Sequence, residues 1–232
     1  MKTRIRLTFA LTLLCAAMST AAFASSVYFV QGIPGRNVAA ATDPAFPVDV
    51  LINDEACNQH GLPFGVVPNP LTFFPGTYNV KVSVANTLAP CTNAPLVERN
   101  VTIEARTDMS LVTALNESGI PTLLTFTNDL TPVAANSARV LFAYAAAGPA
   151  VQVVLQNTST QKVSTYTVNP GAQLEAELPA GNYTVAVNEG TTTLVPAANI
   201  TLSSQSVNLL YGIGQATNNT FVLETRTLRD VI

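Results

Sequence analysis

The same four sequence blocks occur twice in this chain, in the same order and roughly a hundred residues apart. Each pair shares its pattern of apolar residues, and the third pair also shares a proline, a glycine and a tyrosine. The paired blocks are residues 26–35 and 138–148, 48–53 and 151–156, 73–82 and 177–187, and 100–115 and 199–214. Two copies indicate a pair of domains and not a solenoid. We therefore predict domains at residues 25–128 and 137–232, joined by a linker at residues 129–136.

Apolar and polar residues alternate within the blocks. Tyr78, Val80 and Val82 would share one face of a strand, while Asn79 and Lys81 would lie on the other. Short strands that are separated by frequent Gly and Pro turns, in units of about 100 residues, are typical of immunoglobulin-like sandwiches. The sequence thus predicts an all-β fold of two tandem immunoglobulin-like β-sandwich domains.

The shared proline-glycine-tyrosine segment predicts how one strand passes to the next. Proline ends the preceding strand because it cannot donate a ladder hydrogen bond, and glycine permits a turn with positive φ. The tyrosine ring would then be buried, with its hydroxyl bound to a backbone carbonyl, as in a tyrosine corner. An exposed aromatic platform for a ligand is the alternative, which the phase of the valines disfavours. The corner residues are Gly76, Tyr78, Gly181 and Tyr183.

Residues 1–24 have the composition of a signal peptide. A basic start precedes an apolar stretch at residues 7–18, and small residues precede a cleavage site after Ala24. Cys15 would allow a lipid anchor, but the bulky Leu14 before it disfavours lipidation. No later stretch has the roughly 20 consecutive apolar residues of a transmembrane helix. We therefore expect a cleaved signal peptide, no transmembrane segment after cleavage, and a periplasmic, cell-surface or extracellular location.

The charge of the mature chain disfavours one class of partner. Without the signal, eight basic residues stand against fourteen acidic ones, a formal charge of −6. Binding to a phosphate backbone requires cations that displace counterions. We therefore expect no nucleic-acid partner.

Several segments carry a family resemblance that covers nearly the whole mature chain. They are VYFVQGIPG, FPVDVLIN, the turns FPGTYNVKV and LPAGNYTVAV, FTNDLTP and APCTNAP. In their order along the chain they resemble the family catalogued as domain of unknown function 4397 (DUF4397), exported modules that often occur in tandem. The resemblance implies a fold and a location but no reaction. Such domains often carry a histidine in the first strand, where this chain has Gln31 and, in the second copy, Ala143 or Tyr144. A metal or proton-transfer role of that histidine could not operate here.

Cys57 and Cys91 are the only cysteines after the signal. An even pair in an exported chain is most simply a disulfide. It would close a loop of about 35 residues and stabilise the first domain by about 3–4 kcal/mol in the chain-entropy model. The second domain has no equivalent pair.

Catalytic and metal-binding alternatives are weaker. A nucleophile pair of Cys57 and His60 would need a free thiol, and a third member is not recognisable. We therefore interpret His60, the sole histidine, as an exposed loop residue. A group of acidic residues could hold a cation, but their spacing does not match a calcium loop, so we expect solvated carboxylates. These residues are Asp43, Asp49, Asp54 and Glu55.

The sequence therefore predicts no catalytic residue, no cofactor and no metal. We expect an exported structural or binding module of the cell envelope or extracellular space, whose partner is an unknown protein or envelope component. A module that binds a protein by adding a strand to a sheet edge is one alternative. A secreted hydrolase is a weaker one because the chain has a single histidine. We also expect the two domains to fold separately.

Overall fold

The computed structural model describes residues 24–35, 43–216 and 218–228, so residues 1–23, which hold most of the predicted signal peptide, lie outside the described residues. The strands of the first domain are β1 (Ser25–Gln31), β2 (Val48–Ile52), β3 (Ala56–Leu62), β4 (Leu71–Phe73), β5 (Gly76–Val84), β6 (Pro95–Ile103), β7 (Asp108–Leu115) and β8 (Pro121–Asn128). Those of the second are β9 (Ser137–Tyr144), β10 (Val151–Asn157), β11 (Val163–Val168), β12 (Gln173–Pro179), β13 (Gly181–Glu189), β14 (Thr192–Leu202), β15 (Val207–Ile213) and β16 (Val222–Leu228). Within the described ranges, no helix has the length and apolar character that a membrane crossing requires.

Each domain contains two four-stranded sheets, and the strand order of the first domain is repeated in the second. The outer sheets have the orders β3-β2-β5-β6 and β11-β10-β13-β14, and the inner sheets have the orders β4-β1-β7-β8 and β12-β9-β15-β16. Strands β1 and β7 are parallel, as are β9 and β15. The prediction of an all-β fold with two tandem sandwich domains is confirmed. Immunoglobulin-like sandwiches share this two-sheet architecture without always sharing its strand order.

The outer sheets show the predicted alternation. On β10, Val151, Val153 and Leu155 are buried in the core of the second domain, while Gln152 is exposed. One face of an outer sheet covers the core and the other faces solvent, which is the arrangement that a period of two requires.

The central strands of the inner sheets are buried on both faces. Almost every residue of β7, β9 and β15 is buried, because the inner sheets of the two domains pack against each other. This interdomain layer consists of Tyr28, Val30, Val112, Ala114, Phe126, Leu141, Ala143, Ala145, Val207, Leu209, Tyr211 and Ile213. The molecule is therefore a stack of four sheets with three apolar layers between them.

A buried polar cluster crosses the interdomain layer. The hydroxyl of Tyr211 lies 2.8 Å from Oγ of Ser110, and Nδ2 of Asn128 donates to the same Oγ at 3.0 Å. Burial raises the pKa of Tyr211, so its hydroxyl remains protonated at neutral pH. A sliding motion of the sheets would leave these groups unsatisfied in an apolar layer, and the cluster therefore fixes their register.

Two arginines lie at the edges of the layer, one joining the two domains and the other fixing the segment that connects them. Arg226 on β16 lies over the ring of Tyr28, 5.2 Å from its centroid, and donates to the carbonyl of Pro68 at 2.8 Å. Arg139 donates to the carbonyls of Asp129 and Thr131, at 3.0 and 2.9 Å, within the segment that connects β8 to β9. These contacts and the interdomain layer hold the two domains in one orientation.

Candidate functional site

The disulfide between Cys57 and Cys91 joins β3 to the loop between β5 and β6. The Cα atoms are 5.7 Å apart and the sequence separation is 34 residues, which are ordinary values for a disulfide. The predicted bridge is confirmed. Because the sulfur of Cys57 is bonded, the alternative nucleophile pair with His60 is not available in this state. We refer to residues 85–94, which the bridge fixes, as the pinned loop.

Asp49 holds the pinned loop from beneath. It lies on the outer face of β2, yet it is 0% exposed because the loop folds back over that face. Its Oδ2 accepts the backbone N–H groups of Asn86 and Cys91 at 3.0 and 2.8 Å, and its Oδ1 accepts that of Gly61 at 2.9 Å. The expectation of a solvated carboxylate is therefore wrong for Asp49.

His60 lies in β3, and not in a loop as we expected. Its Nδ1–H donates to Oδ1 of Asp49 at 2.8 Å, while its side chain is 44% exposed. Each carboxylate oxygen of Asp49 thereby accepts two hydrogen bonds. Ligand atoms of Asp49, Cys57 and Cys91 lie within 4.8 Å of one another, but the sulfurs are bonded to each other and the carboxylate is saturated. This cluster is built to fix backbone, and it offers no spare ligand to a metal ion.

The pinned loop is also braced from within. Oδ1 of Asn86 accepts the N–H groups of Leu88 and Ala89, each at 3.1 Å, and its Nδ2 donates to Oγ1 of Thr92 at 3.0 Å. At the tip, Leu88 is 95% exposed. The loop therefore presents one large apolar side chain, Leu88, on a backbone that is held at its base, at its end and in its middle. Our reasoning from the sequence missed this site, although an Asn two residues before an apolar tip is a known turn signal.

Acidification is expected to loosen the pinned loop. Burial alone would raise the pKa of Asp49, but the N–H groups of Cys91, Gly61 and Asn86 and the ring of His60 together hold the pKa below its ordinary value. A carboxylate whose pKa is lower in the folded state adds stability above its unfolded pKa of about 3.9. That stability is lost as pH falls through the folded pKa. We expect the free energy of unfolding to decrease below about pH 4 for this reason.

Asp49→Asn should lower the free energy of unfolding at pH 7 by about 1–3 kcal/mol, because an amide cannot accept all four hydrogen bonds. Asp49→Asn should also make the free energy of unfolding less dependent on pH between about pH 4 and the folded-state pKa of Asp49. Urea denaturation across this range measures both effects. Glu117→Gln removes an exposed carboxylate and is the matched control. Equal pH profiles for the two variants would show that Asp49 does not carry the effect.

Tyr78 and Tyr183 occupy equivalent positions in the two domains. Their hydroxyls donate to the carbonyls four residues earlier, of Phe74 at 2.8 Å and of Pro179 at 2.9 Å. Tyr183 is buried, whereas Tyr78 is half-buried and packs edge-on against the ring of Phe73, with 5.1 Å between centroids. The ring of Tyr78 therefore lies less deep than we expected.

The two glycines of this segment differ in conformation. Gly181 has a φ of 155°, a value that favours glycine, but Gly76 has no positive φ. The expectation of a turn with positive φ is wrong for Gly76, which follows Pro75 directly, whereas Ala180 separates Pro179 from Gly181. A Cβ at position 76 would meet the ring of Tyr78 at 3.5 Å, an ordinary contact.

Gln31, at the place where the family resemblance implied a histidine, has a structural role. It is fully buried, and its Nε2 donates to the carbonyls of Phe46 and Ile33 at 2.9 and 3.2 Å. Its Oε1 accepts the N–H of Ile33 at 3.3 Å. An amide supplies donor and acceptor without titrating, and here it fastens the end of β1 to the connection that leads into β2.

Comparison with known proteins gives one family match. The model of a family described as a domain of unknown function (DUF4397) matches residues 26–154, which is more than half of the chain. The match runs from β1 through β9 into β10, so the presence of two family copies in tandem stays a prediction. No curated protein matches the chain.

Two solved structures are similar to the chain at a low level. The Bacillus anthracis TIE protein is 9% identical over 88% of this chain, with a TM-score of 0.28. A leucine-rich repeat protein from Bacteroides thetaiotaomicron VPI-5482 is 13% identical over 82% of this chain, with a TM-score of 0.22. The chain spans 34% and 26% of their lengths, respectively. Likeness of this degree carries no argument about function.

Proposed function

The chain belongs to the DUF4397 family, whose function is unknown, and we propose that it is a non-catalytic binding module of the cell envelope or extracellular space that contacts its partner through the pinned loop. The partner is a protein or another envelope component with an apolar surface that can receive Leu88.

The fixed conformation of the pinned loop is the observation that supports this proposal. A loop that is ordered before binding loses little conformational entropy when a partner contacts it. Burial of Leu88 against a partner would contribute about 1.5–3 kcal/mol. A single exposed leucine is ordinary on a protein surface. Leu88 differs because its loop is fixed by the disulfide, by the four hydrogen bonds of Asp49 and by the internal hydrogen bonds of Asn86.

The disulfide also supports the proposed location. Disulfides persist in exported proteins and are rare in the cytosol, where thiols are kept reduced. A signal peptide at residues 1–24 would provide the route, although nearly all of it lies outside the described residues. Periplasm, cell surface and extracellular space all supply the oxidising conditions that the bridge requires.

A hydrolase is less well supported. The pair of His60 and Asp49 resembles the part of a catalytic triad that orients the base. The carboxylate, however, is fully engaged in holding three backbone N–H groups, and the sulfur of Cys57 is bonded. We therefore assign the pair to loop structure and not to catalysis.

Photo-crosslinking at position 88 tests the proposal. A photoreactive residue there should capture a partner in cells that export the protein. In affinity purification with the protein that lacks the photoreactive residue, Leu88→Ser should reduce recovery of that partner about tenfold, which corresponds to the weaker end of the burial energy. Ile120→Ser is the matched control, because Ile120 is also exposed but lies in the turn between β7 and β8. Equal recovery with Leu88→Ser and with Ile120→Ser would contradict a contact through the pinned loop.

A further inference from the structure

Most sheet edges of this molecule are protected against the addition of another strand. Among the described residues, charged residues or prolines lie on five of the eight edge strands, namely β6, β8, β12, β14 and β16. Strand β4 has three residues, β3 has irregular register, and the edge of β8 is blocked where Arg99 donates to the carbonyl of Leu123. Charge, proline, irregularity and short length are the devices that keep edges from pairing.

Strand β11 has none of these devices. Its sequence, VSTYTV, contains no charge, proline or glycine and consists mainly of residues that favour strands. It pairs with β10 in unbroken register, from Val151 opposite Val168 to Gln156 opposite Val163. The strand is therefore straight, regular and open along its free side.

The hydrogen-bonding groups on that free side can be assigned. The N–H of Asn157 donates to the carbonyl of Lys162 at 2.9 Å, so Lys162 directs its backbone groups toward β10. Backbone groups alternate in direction along a strand. Those of Val163, Thr165 and Thr167 therefore point away from the sheet, where an added strand would meet them.

A recess lies beside the beginning of β11. It has a volume of about 220 Å³ and opens between β11 and β12, with walls formed by Leu178, Pro179 and Tyr183. Lys162 lies at its rim. Within the described residues, the ammonium group of Lys162 has no hydrogen-bond or ion-pair partner. The recess therefore combines apolar walls with one available positive charge.

We infer that β11 binds the extended C-terminal segment of another polypeptide as an added antiparallel strand. In an antiparallel arrangement, the C-terminus of the added strand lies beside the N-terminal end of β11, which is where Lys162 and the recess are found. Lys162 would receive the terminal carboxylate, and an apolar last side chain would enter the recess. The added strand would also form backbone hydrogen bonds to Val163, Thr165 and Thr167, as in other cases of strand addition. This surface is separate from the pinned loop, which belongs to the other domain.

The probe for this surface is the synthetic hexapeptide acetyl-Thr-Val-Thr-Val-Thr-Leu with a free carboxylate. At saturation it should slow amide exchange of Val163, Thr165 and Thr167 by at least about tenfold. Amidation of the peptide, or Lys162→Gln, should weaken binding about fivefold through loss of the ion pair. Leu88→Ser should leave binding unchanged, which separates this inference from the role of the pinned loop.

A matched pair of variants tests the edge itself. Thr165→Pro removes an N–H that points to solvent and leaves the bonds to β10 intact, a placement that edge strands tolerate. It should abolish peptide binding, whereas Thr165→Val, which keeps the N–H, should bind normally. The inference is overturned if Thr165→Pro binds as well as Thr165→Val, or if the free-acid and amidated peptides bind equally. The inference is also overturned if the peptide does not bind. The same holds if amide exchange of β11 slows only because the protein associates with itself.

Discussion

Replacement of Tyr211 by alanine is expected to lower the free energy of unfolding of the whole chain by about 3–5 kcal/mol, as losses of large buried aromatic side chains do. Tyr211 is 1% exposed at the centre of the interdomain layer, and its hydroxyl contacts Ser110 on the opposite sheet. Tyr211→Phe should cost only about 0.5–1.5 kcal/mol, because Ser110 keeps its bond to Asn128. Guanidinium denaturation followed by circular dichroism measures both. A loss of less than about 1 kcal/mol for the alanine variant would show that the layer contributes little.

The interdomain layer also changes the expectation that the domains fold separately. Residues 137–232 alone would expose Leu141, Leu209, Tyr211 and Ile213, an apolar face that invites association. Leu209→Lys should destabilise the full chain, because it places a charge in the interdomain layer. The same substitution should make the isolated second domain more soluble, because it interrupts the exposed apolar face. A wild-type fragment that is monomeric and melts cooperatively would restore the original expectation.

Reduction of the disulfide should lower the free energy of unfolding by about 3–4 kcal/mol, because it frees a loop of 34 residues in the unfolded chain. The loss should appear first as faster amide exchange in β3 and the pinned loop, since these are the segments that Cys57 and Cys91 join. Intact-mass measurement of the protein purified without reductant should show two hydrogens fewer than the reduced form. A double variant with Cys57→Ser and Cys91→Ser is the control, and it should be insensitive to reductant. Equal stability with and without reductant in the wild-type protein would contradict this account.

The sandwich architecture was predictable because the outer strands obey a simple rule. Val151, Val153 and Leu155 alternate with residues that meet solvent, and the repeated proline-glycine-tyrosine segment marks the same strand entry in both domains. The pair of cysteines at positions 57 and 91 was sufficient to predict the bridge. Each of these features depends on nearby residues or on a small number of possible partners.

The interdomain layer was missed although the sequence contains a signal for it. In the second domain, residues 138–147 and 207–213 are apolar almost without interruption, and residues 27–30 of the first domain are apolar as well. Such runs are typical of strands that are buried on both faces, but we interpreted every block as half-buried. A single run of this kind does not say what covers the second face. Only the repetition of the run in both domains indicates that the two copies cover each other.

The environment of Asp49 was not predictable from local pattern. The carboxylate lies on the polar face of β2, as its phase indicates, and a solvated position was the simple expectation. Its partners Asn86 and Cys91 are 37 and 42 residues away. They reach it only because the pinned loop folds over the sheet, and the disulfide is the one sequence feature that brings this loop near.

The four-sheet stack has a consequence for how many partners one molecule holds. The pinned loop belongs to one outer sheet and β11 to the other, so three inter-sheet distances of about 10 Å each, or about 30 Å in all, separate the two outermost layers. The interdomain layer prevents the body from bending, and this spacing is therefore constant. A small partner cannot engage both surfaces at once. Two different partners would be bridged at a fixed distance, and their effective concentration for each other would be set by the thickness of the protein and not by the length of a tether.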